Sequence, residues 1–300
     1  MGVFRRSWQL FKESFRVLNS DIELLLFPVL GACVSLLAMV FVLGIGGLLV
    51  LMTPALYVGL QAIGSPAGDG AVGALTYLVG ILILFVFYLV GYFVTTYFTG
   101  GLIGAALIRL RGGAPTFGDG MRIAGHHVGA ILGYAVVQAT VGVVISLLRG
   151  GGKRRSMGRS LVAGAAQTAW NVATFLAIPY LVDKGEGPLG AIKASTAALK
   201  RTFGEQIVGS LGVGIVFTIP ILLVCVAGVA GSVLLAMNEQ FVLMVVVIIL
   251  AVLLLAILAV LSSALNGIYR AAVYLYAEEG LVAEEFNAEA IRAAFQPAGA

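Results

Sequence analysis

Charged residues fall along this chain in clumps. Between the clumps lie six apolar windows without Asp, Glu, Lys or Arg: Leu24–Gly68, Gly70–Ile108, Ile123–Leu148, Ser160–Val182, Gln206–Asn238 and Gln240–Tyr269. The shortest holds 23 residues, enough for a helix to cross a ~30 Å hydrocarbon core at ~1.5 Å per residue. Six such windows predict an all-α, polytopic transmembrane bundle of about six spans arranged as three hairpins. The spans are expected near 24–50, 75–108, 127–148, 161–182, 207–237 and 241–269, with 270–300 a cytoplasmic tail and 1–300 a single membrane domain.

The residues between the windows also carry a pattern. Phe4, Trp8, Phe11, Phe15 and Leu18 step by 4, 3, 4 and 3, which puts them on one face of a helix over 3–18, while Arg5, Arg6, Lys12, Glu13 and Arg16 take the opposite arc. A basic face opposite an aromatic one suits a helix in the headgroup plane, and the same stripe would suit packing against the bundle. Ser20-Asp21-Ile22-Glu23 reads as a capping box for the first span, and Thr116 with Asp119 as a second cap. Segments 3–18, 116–125 and 189–203 each precede a pair of spans, so each hairpin is expected to be introduced by an interfacial element.

Composition agrees: 60% of the residues are hydrophobic and 11% charged, against roughly 45–50% and about 25% in soluble proteins. The 40 glycines fit close helix crossings better than disorder. The net charge of +4 reports orientation and attraction to anionic lipid rather than nucleic acid. With both termini inside, thirteen Lys and Arg lie on the cytoplasmic side; five, Arg149, Lys153, Arg154, Arg155 and Arg159, crowd an outer loop. The apolar run after the charged N-terminal segment is far longer than a signal-peptide core, so the first span is expected to stay.

Candidate chemistry is sparse. No Asp, Glu, Lys, Arg or His stands in mid-window, and no Gly-x-Ser-x-Gly, His-Glu-x-x-His or Walker loop is present, which argues against an enzyme or a proton-driven pump. His126-His127 lacks partners at ligand spacing, and Cys33 and Cys225 are isolated, so neither metal nor cofactor is expected; the thiols read as small buried apolar groups. Gln167, Asn171 and Thr174 form a polar stripe on the fourth span, beside Trp170, fit either to line a path for a neutral solute or to hydrogen-bond a neighbouring helix. Gly100 with Gly104, Ser210 with Gly214, and Ala227 with Gly231 are small-xxx-small pairs that permit close crossings within the bundle or between copies. Arg5, Arg6, Trp8, Lys12 and Arg16 are the candidate contacts to anionic lipid.

Ser7-Trp8-Gln9-Leu10-Phe11-Lys12-Glu13-Ser14-Phe15, Glu23-Leu24-Leu25-Leu26-Phe27-Pro28, Trp170-Asn171-Val172-Ala173-Thr174-Phe175 with Pro179, Phe203-Gly204-Glu205 and Tyr269-Arg270-Ala271-Ala272 recur as recognisable motifs. Over nearly its whole length the chain resembles a family of uncharacterised prokaryotic six-span membrane proteins, known only as a domain of unknown function. The resemblance implies six spans and a bacterial or archaeal plasma membrane; it brings no catalytic residues. The function expected is that of a non-enzymatic, self-associating membrane protein that binds or passes a neutral or lipidic ligand. The alternative is a membrane-organising scaffold that docks partners or anionic lipid on its basic interfacial helices.

Overall fold

The computed structural model describes residues 3–62, 69–149, 157–203, 214–283 and 286. Among them every regular element is helical: α1 (Val3–Ser20), a 3-10 turn (Ile22–Leu25), α2 (Leu26–Ala62), α3 (Asp69–Leu110), α4 (Phe117–His126), α5 (Val128–Arg149), α6 (Met157–Ala173), α7 (Ala177–Asp183), α8 (Pro188–Phe203), α9 (Gly214–Met237) and α10 (Phe241–Glu279). Six helical stretches are long and apolar enough to cross a membrane, and the chain is a multi-pass membrane protein. α2 packs along α3, α5 along α6, and α9 along α10, each pair preceded by a shorter helix, α1, α4 or α8. α3 is the axis, in contact with α2, α4, α5, α7 and α10.

Burial is lopsided. The core gathers at one end, where the start of α2, the end of α3, α4, the start of α5, α7, α8 and the end of α10 meet around Phe27, Leu102, Ile131, Leu181 and Ile268. Toward the other end, the most apolar stretches of α9 and α10 have no residue buried by protein, as expected of surfaces whose solvent is lipid. Crossings at the packed end are set by small residues. A Cβ on Gly120 would fall 2.5 Å from the Gly101 carbonyl oxygen, so α3 and α4 meet backbone to backbone. α3 stops in a Schellman turn: Gly112 takes φ +88, its N–H donates to the Arg109 carbonyl at 2.9 Å, and Gly113 N–H donates to that of Ile108 at 2.9 Å.

Several boundaries differ from the sequence reading. The fourth span is not one helix: it breaks at 174–176, because Pro179 lacks an N–H and its ring would strike the carbonyl four residues earlier. α2 and α3 run past their expected ends, and residues 270–279 are no tail but the last turns of α10, with Ala271–Leu275 buried. The Thr116–Asp119 capping box is present. The one at Ser20 is not: Ser20 Oγ bonds back to the Arg16 carbonyl within α1, and Glu23 instead accepts from the Phe117 N–H at 2.8 Å, capping α4 from across the fold. The turn at 64–66, residues 150–156 of the basic loop, Gly204-Glu205, Ser210 and Glu284, Glu285 and Glu289 lie outside the described residues.

Candidate functional site

Three groups of polar side chains stand out. The first surrounds the break between α6 and α7. A helix interrupted at membrane depth frees backbone groups that must find partners. Here the Leu176 N–H donates to Ser195 Oγ at 3.0 Å, a fully buried hydroxyl on α8, and Thr174 Oγ1 donates to the Trp170 carbonyl at 2.8 Å. From the break a chain of hydrogen bonds crosses to α5. Trp170 Nε1 donates to Gln138 Oε1 at 2.6 Å, and Gln138 Nε2 donates to the buried Tyr134 hydroxyl at 2.7 Å. Arg270 of α10 closes this region, its guanidinium 5.3 Å from the centre of the Phe175 ring.

The second group ties together the helix ends. Arg111 grips Asp183 with both terminal nitrogens, at 2.8 and 3.1 Å, and also bonds Glu279; the Tyr274 hydroxyl donates to Asp183 at 2.7 Å. Hydrogen bonding to Asp183 is the main reason the Arg111 guanidinium is held even further above its ordinary pKa. Beside it, Glu278 accepts from Tyr180 at 2.8 Å and lies within ion-pair distance of Lys184 and Arg201. Arg109 pairs with Asp21 at 3.1 Å. These contacts fasten α3, α7, α8 and α10, and the carboxylates are engaged rather than poised for proton transfer.

The third is a cavity of about 310 Å³ between α2, α3 and α10. Gly31, Ala32, Ala256 and Ala259 leave the space, Phe98 and Leu102 wall it, and the hydroxyls of Ser35, Thr95, Thr99 and Ser263 line it. It is a partly open groove between the three helices. A mainly apolar wall with a few hydroxyls matches a chain-like ligand that carries little charge.

A family model, described as a family of unknown function (DUF6159), matches residues 78–284. The chain belongs to that family. The match begins within α3, so α1 and α2, with the Ser7–Phe15 and Glu23–Pro28 motifs, stand outside it. No curated protein matches the chain. No solved structure matches it either.

In this DUF6159 protein the predicted site residues separate. Gln167 donates to Asn171 at 2.9 Å, and Asn171 is exposed on the outside of the bundle, whereas Thr174 is buried at the break. The three therefore do not form one lining, and the cavity belongs to other helices. On α1 the buried face is Leu10, Glu13, Ser14, Val17 and Leu18, set against α9 and α10; Trp8 and Phe15 remain 41% and 45% exposed. The stripe is thus divided, with Leu18 buried and Phe11 packed against Phe217 of α9 while Trp8 and Phe15 face outward, Lys12 5.8 Å from the Trp8 ring and Arg16 exposed; Arg5 and Arg6 lie on α1 with side chains outside the description.

Gly100 and Gly104 do serve close packing, but within the chain. Cβ atoms there would lie 3.0 Å from Val182 and 3.0 Å from Ile123. On α9 the seam against α10 uses Gly228, opposite Ala251, and Gly231, opposite Val247, while Ala227 points outward; the pairing of Ser210 with Gly214 falls outside the described residues. Cys33 and Cys225 are free and exposed, a correction to the expectation of buried thiols. Among the described residues no three potential metal ligands gather, and His127 Nδ1 is 2.9 Å from the Ile123 carbonyl at the α4–α5 corner. Sequence reasoning gave no site role to Ser195, Glu278 and Arg270. Pro179 was the available signal for the first, since a proline in a span marks a place where backbone groups need a side-chain partner.

Proposed function

We propose that this chain is a non-enzymatic membrane protein that holds a neutral or lipidic ligand in the groove between α2, α3 and α10. The cavity carries this reading: an apolar wall dotted with hydroxyls, set between three helices long and apolar enough to span a membrane. Its volume of about 310 Å³ sits at the lower end of ordinary ligand pockets, ~300–1,000 Å³. Gly100, Gly104 and Gly231 are occupied by contacts within the chain, so self-association through them is not part of the reading. The packed end, with α1, α4, α8 and the end of α10, is assigned to the cytoplasm of a prokaryotic plasma membrane, because it collects most of the Lys and Arg.

Native mass spectrometry of the protein ejected from its own membrane tests this. A stoichiometric small molecule or neutral lipid should remain bound in the wild type and be lost in Ala259→Phe, which fills the groove. Equal retention by both proteins, or an unliganded wild type, sinks the proposal. A second reading, a scaffold anchored by its interfacial helices, draws on the exposed Trp8 and Phe15 of α1 with Lys12 and Arg16 beside them. It expects Lys12→Gln with Arg16→Gln to release anionic vesicles while leaving the groove ligand in place.

A further inference from the structure

Five cations of the packed end are paired, Arg109 with Asp21, Arg111 with Asp183 and Glu279, Arg122 with Asp119, and Lys184 and Arg201 with Glu278, while Lys12, Arg16, Lys193 and Lys200 are exposed. Arg270 differs. It lies eight residues before Glu278 on the same helix, about 12 Å deeper into the bundle at ~1.5 Å per residue. Its Nε is buried without a hydrogen-bond partner, and among the described residues no carboxylate or carbonyl bonds its terminal nitrogens. A guanidinium that is half-buried, with its Nε shut off and unpaired, is disfavoured, and at membrane depth such a group marks a functional site with a partner to be named.

The protein's own groups do not supply that partner. Phe175 offers a ring 5.3 Å away, which offsets only part of the lost hydration. Tyr134 is a phenol already accepting from Gln138, and no bond from Arg270 to it is found among the described residues. Asn266, one turn back on α10, donates its Nδ2 to the Ser262 carbonyl at 2.7 Å, and no bond from Arg270 to its Oδ1 is found among the described residues. A helix-capping role for Arg270 at the end of α6 would require a bond to a carbonyl, and none is found among the described residues. A second donor stands beside it: the Tyr269 hydroxyl is buried and without a partner, and its ring meets Phe175 edge-on with centroids 6.1 Å apart. Two unsatisfied donors, one of them a cation, thus collect around one ring at the break between α6 and α7.

The geometry points to an anion site built on Arg270 and Tyr269, taking a phosphate or carboxylate group at the inner edge of the packed end. Arg270 lies two turns beyond Ser263 along α10, so the site is displaced by ~10 Å along the helix from the groove, whose α10 lining is Ala256, Ala259, Val260 and Ser263, and it stands independently of the groove's ligand. The anionic oxygens would accept from the guanidinium and the phenol together, the charge-assisted geometry in which such bonds are strongest.

The test uses the full chain, stripped of lipid in neutral detergent, with thermal unfolding and native mass spectrometry read against phosphatidylglycerol, phosphatidylcholine and inorganic phosphate. The wild type should retain phosphatidylglycerol over phosphatidylcholine by about tenfold, and Arg270→Gln should lose that preference. Stabilisation by inorganic phosphate alone, absent in Arg270→Gln, would identify the occupant as a soluble anion at the same site. Should Arg270→Gln fail to accumulate, Tyr269→Phe keeps the ring and removes one donor, and the preference should fall about threefold. An unchanged preference in whichever variant is recovered, with no response of the wild type to phosphate, overturns the site.

Discussion

The two ends of this bundle are stabilised by different means. At the packed end, α3, α4, α7, α8 and α10 are locked by glycine crossings, ion pairs and buried hydroxyls, and exposed apolar groups are few. Along the rest of their length α2, α9 and α10 present Leu, Val and Ile outward, and little of that surface is buried by protein. Lipid tails are as apolar as these side chains, so burial gives little drive for association there. Specific structure is concentrated where water and headgroups can penalise a wrong arrangement.

Matched glycine substitutions sharpen that contrast most. Gly120→Ala pushes a methyl against the Gly101 carbonyl and should destabilise by about 2–3 kcal/mol. Gly44→Ala, in α2 where nothing lies within 4 Å, should be neutral or slightly stabilising. Thermal unfolding in detergent reads both, and equal losses would erase the distinction between the ends.

The break in the fourth span gives the next effect. Ser195→Ala leaves the buried Leu176 N–H without its acceptor, for a loss of about 1–2 kcal/mol. Thr168→Ala on α6, whose exposed hydroxyl bonds only the Gly164 carbonyl of its own helix, should change the melting temperature little and serves as the control. A Ser195→Ala protein as stable as the wild type would mean that the break does not rely on α8.

The smallest effect belongs to the surface of the packed end. Hydrogen bonds from Thr116, and less so the charge of Arg122, hold the Asp119 carboxyl below its ordinary pKa. A depressed carboxyl contributes stability that is complete above its unfolded pKa and is lost as pH falls through the folded value. Asp119→Asn should therefore melt slightly below the wild type at neutral pH, and the gap should close under strongly acidic conditions. A gap independent of pH would show that the charge of the cap is immaterial.

Much of this architecture can be read from residue type alone. Charge-free windows marked six spans, and the periodicity of 3–18, 116–125 and 189–203 marked the three helices that introduce the hairpins. Rotation was harder. The Trp8–Phe15 stripe predicts a fully buried face only if the outside is water; beside a bilayer Trp8 and Phe15 can face outward while Phe11 packs inward, and Glu13 and Ser14 go inside. Pairings across long separations were invisible as well. Arg111 finds Asp183 72 residues on and Glu279 168 residues on, and no local pattern encodes either. Arg270 sits one residue past the charge-free window that ends at Tyr269, so it reads from the sequence as the first residue of a tail. Only the continuation of α10 through Glu279 carries it into the interior.

The central position of α3 bears on how the chain is assembled. Ribosomes deliver spans in order, and α3 is complete before any of α4, α5, α7 and α10 exists. Its Leu102 stays unmatched until Gly267, near the end of synthesis, comes to lie against it. Until then the second span is a half-built joint, and a nascent chain halted before α10 would display that joint to the cell's membrane proteases.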